Sequence, residues 1–396
     1  MSETEAITLP TLRPNPFDPP DGLAELRATT PITRLAYPDG HLGWLVTSHA
    51  LVREVLADRR FSTRTELRHV PIESTTTGRP SPPGMFIGMD PPDHTRYRQL
   101  LTGEFTVRRM RMLTERIEQV TERQLDLMER QGPPADLVEA FAAPVPAVVI
   151  CELLGVPDEE RAGFMAEATE LVRPDTPQER KVATFLTMQA RIRDLVVAKR
   201  AEPTDDMLSG LTRSDLTDEE LANIGFLLLG SGLDTTANML ALGTFALLRH
   251  PGQLAVLRDE PGRVDQTVEE LLRYLTIVPF LVRTALEDVE LGDELVRAGE
   301  TVTVSMPSAN RDPGRFPDPD VLDLRRDTGG HVGFGHGVHQ CLGQQLARVE
   351  MRAGYPALFR RFPSLRLAVE PEQVPLRTDM LIYGVHSLPV TWDVQG

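Results

Sequence analysis

The sequence is short of cysteine, of positive charge and of uninterrupted apolar runs, and each shortage removes a class of protein. Two cysteines in 396 residues, Cys151 and Cys341, build neither a disulfide framework nor a zinc cage, and they suit a reducing compartment. No charge-free segment reaches the length of a membrane span. The opening Met1-Ser2-Glu3-Thr4-Glu5 has neither the basic nor the apolar region of a secretion signal, so a cytoplasmic location is expected. Lysine and arginine number 42 against 58 acids, and the net charge of −16 disfavours nucleic acid and anionic membrane surfaces as partners. Internal repeats, low-complexity runs and Gly/Ser linkers are also missing, so residues 1–396 are expected to form a single domain.

What the chain does have is one loop rich in chemistry, residues 334–343. Gly335 and Gly337 give the backbone angles closed to other residues and let it lie against a large ligand. After Cys341, the apolar residues Leu342, Leu346, Ala347, Val349 and Met351 among polar ones predict an amphipathic helix. The sulfur then stands at or just before a helix N-terminus, where the dipole and free N–H groups favour a thiolate. A single thiolate in a glycine-rich cradle suits the axial position of a haem iron. The bland alternative for an isolated cysteine is a small buried hydrophobe, and Cys151, in the run Val148-Val149-Ile150-Cys151, is taken as that case.

The pattern Phe334-Gly335-x-Gly337-x-His339-x-Cys341-Leu342-Gly343 resembles the signature of the cytochrome P450 family without a departure, in its soluble bacterial, actinobacterial-type form. The resemblance extends over nearly the whole chain. It implies a mainly α fold, a helix-rich domain with small peripheral β-sheets around a buried haem b, with Cys341 as the iron ligand and Phe334, Gly335 and Gly343 in the cradle. His94 and Arg98 are four residues apart and share one helix face. On their own they read either as a solvated charged face or as a site for a dianion; the resemblance assigns them to a haem propionate, with Arg283 and His339. Arg283 alone would read as a surface arginine whose stem lies along apolar residues.

A second stretch, Leu229-Gly230-Ser231-Gly232-Leu233-Asp234-Thr235-Thr236, interrupts an apolar helix expected at about 226 to 248. A Thr235 hydroxyl bonded to the Ser231 carbonyl would loosen the ladder and admit water, and Asp234 beside it can carry protons. No strand precedes the Gly-x-Gly, which rules out a dinucleotide loop. The stretch resembles the family's oxygen-activation motif, with Ser231 in place of the usual Ala. Glu270 and Arg273 match the family's buried Glu-x-x-Arg pair. The usual third cation of that network falls at Val321, so Arg315, Arg325 or Arg326 is expected to substitute.

Along the chain, strands are predicted on either side of Tyr37-Pro38-Asp39-Gly40, a helix from Ser48 to Leu56, and a long loop over 61–88 that the resemblance places over the substrate pocket. Asp93 is expected to cap the next helix. A Pro-broken lid is expected near 174–177, and short C-terminal strands over 365–369, 381–385 and 388–392. The basic run Thr106-Val107-Arg108-Arg109-Met110-Arg111 reads as a solvated face or as part of a docking site for an acidic electron donor. Candidate pocket residues are Phe86, Ile87, Leu228, Leu229, Ser231, Val278, Leu281, Leu381 and Ile382, apolar but for Ser231 and without a charged anchor. The function expected from the resemblance is a haem-thiolate monooxygenase that takes electrons from a ferredoxin and an NAD(P)H-dependent reductase. It would insert one atom of dioxygen into a sizeable, mostly apolar natural product, with Asp234 and Thr235 catalytic. A peroxide-driven enzyme and a non-catalytic haem-binding protein of the same fold are the alternatives, and Asp234-Thr235 argues against both.

Overall fold

The computed structural model describes residues 6–72, 78–104, 107–172, 176–378 and 380–394. The longest helix, Asp218–Arg249, packs against helices Pro144–Leu153, Gln178–Ala201, Val264–Leu275 and Gln344–Arg361. Every residue from Thr236 to Leu247 is buried, as expected of a helix that is apolar all round. It begins eight residues before the predicted start. Thr217 and Glu220 form a capping box: the Glu220 N–H donates to Thr217 Oγ1 at 3.2 Å and the Thr217 N–H to the Glu220 carboxylate at 2.7 Å. The Thr-x-x-Glu spacing is a legible start signal that the apolar pattern alone misses.

Glu220 is also a junction. Tyr97 donates to it at 2.7 Å and Arg96 at 2.6 Å, so helix Asp93–Glu104 hangs on the same carboxylate. Burial works against its charge, but the bonds from Thr217, Tyr97 and Arg96 outweigh this and hold it down to about 2. A depressed carboxyl contributes stability that is complete above its unfolded value and fades as pH falls towards the folded one. Between the ordinary glutamate range and about pH 2, Glu220→Gln should therefore flatten the acid limb of the stability curve; an unchanged limb in urea titrations would remove Glu220 from that role.

The predicted hairpin is present. Strands Ile32–Ala36 and Leu42–Val46 flank a turn with Gly40 at φ 88°, and Thr301–Ser305, Phe280–Ala285 and Phe61–Ser62 complete a five-stranded sheet in that order. Ser48 stands at the helix N-cap but makes no cap bond; the His49 N–H goes instead to Asp312 Oδ2 at 2.8 Å. Asp93 is the first helical residue rather than the cap. The C-terminal strands are shorter than predicted: Arg366–Leu367 and Pro389–Thr391 pair, whereas 381–385 contributes only a bridge from Val385 to Leu376. Gly384 explains part of this, since a Cβ there would meet Asn238 Oδ1 at 1.9 Å; the backbone is pressed onto the long helix.

The loop over 61–88 holds the strand Phe61–Ser62 and two 3₁₀ turns, Thr65–Leu67 and Phe86–Gly88. It lies on the first turns of the long helix. Gly84, at φ 87°, leaves no room for a Cβ, which would sit 2.4 Å from Glu220 O, and Asn223 Nδ2 donates to Pro83 O at 2.9 Å. Thr75 to Thr77 lie outside the described residues, as do Arg173, Pro174 and Asp175 of the expected lid break and Thr106 of the basic run. The lid break is flanked as predicted by helices Asp158–Val172 and Gln178–Ala201.

Candidate functional site

The cysteine loop is closed by its own backbone, with the Cys341 N–H donating to Phe334 O at 2.9 Å. Gly335 and Gly337 both have positive φ, 73° and 75°. A Cβ at Gly337 would lie 2.2 Å from Leu56 O, whereas at Gly343 nothing stands within 4 Å. The loop is thus packed tightly on one side and open on the other. Cys341 is accessible, in contrast to Cys151, which is fully buried in the helical core with its thiol pushed up to about 11 by desolvation. Deep placement also raises the Cys341 thiol, against a bond from the Gly343 N–H and the charges of Arg98 and Arg348. This corrects the expectation that the loop alone favours a thiolate. Helix Gln344–Arg361 starts three residues further on, too far for its dipole to outweigh burial. Deprotonation there calls for a metal.

Arg348 escaped the sequence reading. It stacks over the Phe334 ring at 4.6 Å and is held by Glu269 at 2.5 and 3.0 Å. Glu269 is in turn bonded to His331 at 2.9 Å. Burial opposes the Glu269 charge, yet these partners hold the carboxyl down to about 2.

His94, Arg98, Arg283 and His339 converge. The His94 and His339 rings are 4.1 Å apart. His94 is 2% exposed, and neither ring nitrogen has a partner among the described residues. Arg283 is buried; its one hydrogen bond among the described residues is to Val282 O at 2.9 Å, and desolvation pushes its guanidinium down to about 10, with Asp90 opposing and Arg68 adding to the effect. His339 meets Thr63 Oγ1 at 3.2 Å. Desolvation, His94, Arg283 and Arg98 push that ring down to about 3. Orphaned buried donors and unpaired buried cations cost folding energy unless an anionic ligand meets them. A flat dicarboxylate whose iron faces Cys341 answers every feature: the accessible sulfur, the open side of the loop, the unpaired cations and the orphaned imidazole. The residues present therefore fit a haem. Among the described residues no group of three or more His, Cys, Asp or Glu side chains offers a metal cage instead.

On the long helix, Thr235 Oγ1 donates to Ser231 O at 2.8 Å, as predicted, but the helix runs on without a break through residues 229–238. Gly230 faces open space, while a Cβ at Gly232 would press on Ile150 at 3.0 Å. Asp234 is ion-paired with buried Arg377, at 2.6 and 3.2 Å, and accepts from Asn238 Nδ2 at 3.1 Å. Beyond it Glu350, bonded to Thr236, is wholly buried and pushed up to about 8.

Glu270 and Arg273 have fully buried side chains and are joined at 2.7 and 2.8 Å. Arg326 supplies the third cation, with Nε 3.3 Å from Glu270 Oε1 and further bonds to the carbonyls of Asp318 and Val321. Arg315 bonds Gly329 O and Arg325 pairs with Glu260, so neither takes that part. Arg109, offered as a docking residue, is folded onto Glu104 and Asp205.

The pocket residues divide. Leu281 comes within 3.8 Å of where a Gly335 Cβ would be, beside the cysteine loop, and Leu228, Val278 and Ile382 are partly buried. Ile87 and Leu381 are more than half exposed, and the Ser231 side chain is exposed. Phe86 and Leu229 are buried in the helical core cluster with almost no free surface, which corrects their expected place on the pocket wall. Leu228, next to Leu229 on the helix, packs against the same cluster but keeps part of its surface free.

The family model for cytochrome P450 matches residues 164–390. Cytochrome P450 105C1 of a Streptomyces species is 46% identical over 395 residues, covering 99% of this chain and 100% of that protein. Pentalenic acid synthase of Streptomyces avermitilis is 41% identical, covering 99% and 98%. The crystal structure of CYP105P1 in complex with filipin I superposes with a TM-score of 0.93 at 42% identity, covering 99% and 100%. No helix of the described residues is long and apolar enough to cross a membrane. Likeness of this extent, end to end and in sequence as well as in shape, means that the chain belongs to the cytochrome P450 family of haem-dependent monooxygenases, alongside its actinobacterial members.

Proposed function

We propose that this monooxygenase holds haem b between Cys341 and the long helix and inserts one atom of dioxygen into a sizeable, mostly apolar natural product. Electrons would come from a ferredoxin and its NAD(P)H-dependent reductase, in the cytoplasm, to a single domain spanning 1–396. The observation that carries the reading is the accessible Cys341 thiol beside Arg98 and the buried Arg283, neither of which is ion-paired with a protein acid among the described residues. When bound, the haem supplies the two-electron activation of dioxygen at its iron.

The chain's own residues do the rest. Cys341 binds the iron. Arg98 and Arg283 would each neutralise one propionate, and His94 and His339 would donate ring N–H bonds to the same carboxylates. Leu281, Val278, Leu228 and Ile382 exclude water and bind the substrate through apolar burial, at about 25 cal/mol per Å² before ordering costs. Ser231 and Thr235 orient it. Thr235 holds a water at its hydroxyl, and the adjacent Asp234, fixed by Arg377, passes protons to that position. Thr235→Ala should keep substrate binding but divert reducing equivalents to free hydrogen peroxide. Asp234→Asn should slow turnover by about 10²-fold, the low end for a lost acid–base group. Coupling and rate that match the unmodified protein in both variants would exclude this relay. Turnover with reductase partners, set against turnover with peroxide, tests the electron source; a peroxide rate equal to the reductase-driven one would favour the peroxygenase alternative.

A further inference from the structure

The two carboxylate oxygens of Asp234 are held differently. Oδ1 takes a short bond from Arg377 Nη1, at 2.6 Å, and a second from Asn238 Nδ2 at 3.1 Å. Oδ2 meets only Arg377 Nη2 among the described residues, at 3.2 Å. One oxygen is committed to the fold and the other is looser. The Arg377 side chain is buried, and its Nε meets no acceptor among the described residues. The pair with Asp234 is therefore what fixes the guanidinium.

Arg377 stands at the base of a closed loop. Leu376 bridges to Val385, and the Arg377 N–H donates to Gly384 O at 2.9 Å. Beside that base, Gly384 is pressed onto Asn238 of the long helix. On the far side of the loop, the Tyr383 N–H donates to Ile277 O at 2.8 Å. Ile382, next to it, packs against the same core cluster as Val278 and as Phe334 of the cysteine loop. Ile277 and Val278 lead into strand Phe280–Ala285, whose Leu281 lies beside that loop. The segment thus reaches from the acid next to Thr235 to the apolar residues around the cysteine loop. Leu381 is more than half exposed and Ile382 only partly buried. Apolar burial therefore fixes this wall weakly, and the polar fastenings at its base decide where it stands.

Resting on the reading that Ile382 lines the substrate pocket and Asp234 carries protons, we propose that Arg377 is a positioning residue for substrate selection. Through Oδ1 the relay acid anchors the loop that sets the Ile382 wall, and Oδ2 is left for proton traffic. A guanidinium suits the task, because a planar fork bound at two points fixes the direction of its stem as well as its end. One carboxylate then does two jobs. The site at which the substrate is oxidised and the arrival of protons depend on the same residue pair.

The test uses the haem-loaded full chain and a neutral steroid as probe. Hydrogen exchange is followed at the backbone amides of residues 377 and 383, and steroid affinity by the spin-state shift and equilibrium dialysis. Arg377→Met should speed exchange at both amides by about 10–100-fold, the range for lost hydrogen bonds to a charged group. It should also weaken steroid binding and change the ratio of oxidation products. Arg377→Lys, which can keep one bond, should recover part of each effect. Asp234→Asn keeps an oxygen for Arg377, so it should hold the loop and the steroid while turnover slows. Asp234→Asn combined with Arg377→Met leaves no stranded charge and should loosen the loop as Arg377→Met does. Exchange and affinity in Arg377→Met equal to those of the unmodified protein overturn the proposal. A tight loop in the double variant overturns it too, because the stranded carboxylate would then be the cause. Loosening in Asp234→Asn as great as in Arg377→Met overturns the division between the two oxygens. Faster exchange with unchanged affinity and products overturns the link to selection. A steroid that binds none of the proteins takes down the apolar pocket and the selection role together. If Asp234→Asn turns over normally while Arg377→Met loosens the loop and shifts the products, the relay falls and the anchor stands.

Discussion

Replacing Cys341 by His abolishes the red-shifted Soret band of the reduced, carbon-monoxide-bound protein, and with it all monooxygenase turnover. The band reports a thiolate on the iron, and Cys341 is the one accessible thiol of the two cysteines. Cys151→Ser is the control. Its site is fully buried among apolar side chains, so a hydroxyl there lowers stability by about 1–3 kcal/mol for want of a partner, yet the band persists. A band that survives in Cys341→His, or is lost only in Cys151→Ser, sinks the assignment of the iron ligand.

The second large effect is on folding. Glu270→Ala strips the carboxylate from a fully buried Arg273 whose other bonds, to Asn310 O, Pro319 O and Val321 O at 2.8, 2.9 and 3.4 Å, go to neutral carbonyls. It also leaves the Asp323 N–H without its acceptor. An uncompensated buried charge costs about 3–5 kcal/mol, a large share of a typical stability. Urea denaturation should therefore show a much lower midpoint, and the variant should accumulate poorly. Arg326→Ala removes only the outer cation, whose Asp318 and Val321 carbonyls water can reach, and should cost roughly 1 kcal/mol. A Glu270→Ala midpoint equal to that of the unmodified protein would show that the pair is dispensable.

The contrast between these two predictions marks what was legible in the sequence. The cysteine loop and the His94–Arg98 pair are local: glycines at fixed spacing and residues four apart on a helix carry their geometry with them. The Thr235–Ser231 bond is local for the same reason. Arg377, which fixes Asp234, is 143 residues away, and Arg326 is 56 residues from Glu270. Nothing in residue spacing joins such pairs; the fold does. The apolar pocket suffered from a related limit. A run such as Leu227-Leu228-Leu229 is apolar throughout, so which member faces the cavity depends on the neighbours each one meets. The strand expected over 381–385 failed because the backbone at Gly384 is held against Asn238, a constraint that alternation cannot reveal.

The seating of the loop at Pro83 and Gly84 on Glu220 and Asn223 bears on how this enzyme could be re-engineered. The helix they rest on is a rod of roughly 48 Å at 1.5 Å per residue, and the same rod carries Asp234 and Thr235. Exchanging the loop for that of a relative is the obvious way to alter which molecules are accepted. A donor loop with any larger residue at position 84 would collide with the Glu220 carbonyl, and one that turned its carbonyl away at position 83 would strand the Asn223 amide. Chimeras should therefore be cut inside 64–82, between the Asp90 contacts and this seat, where the graft can vary without levering the rod that aligns the proton-transfer pair.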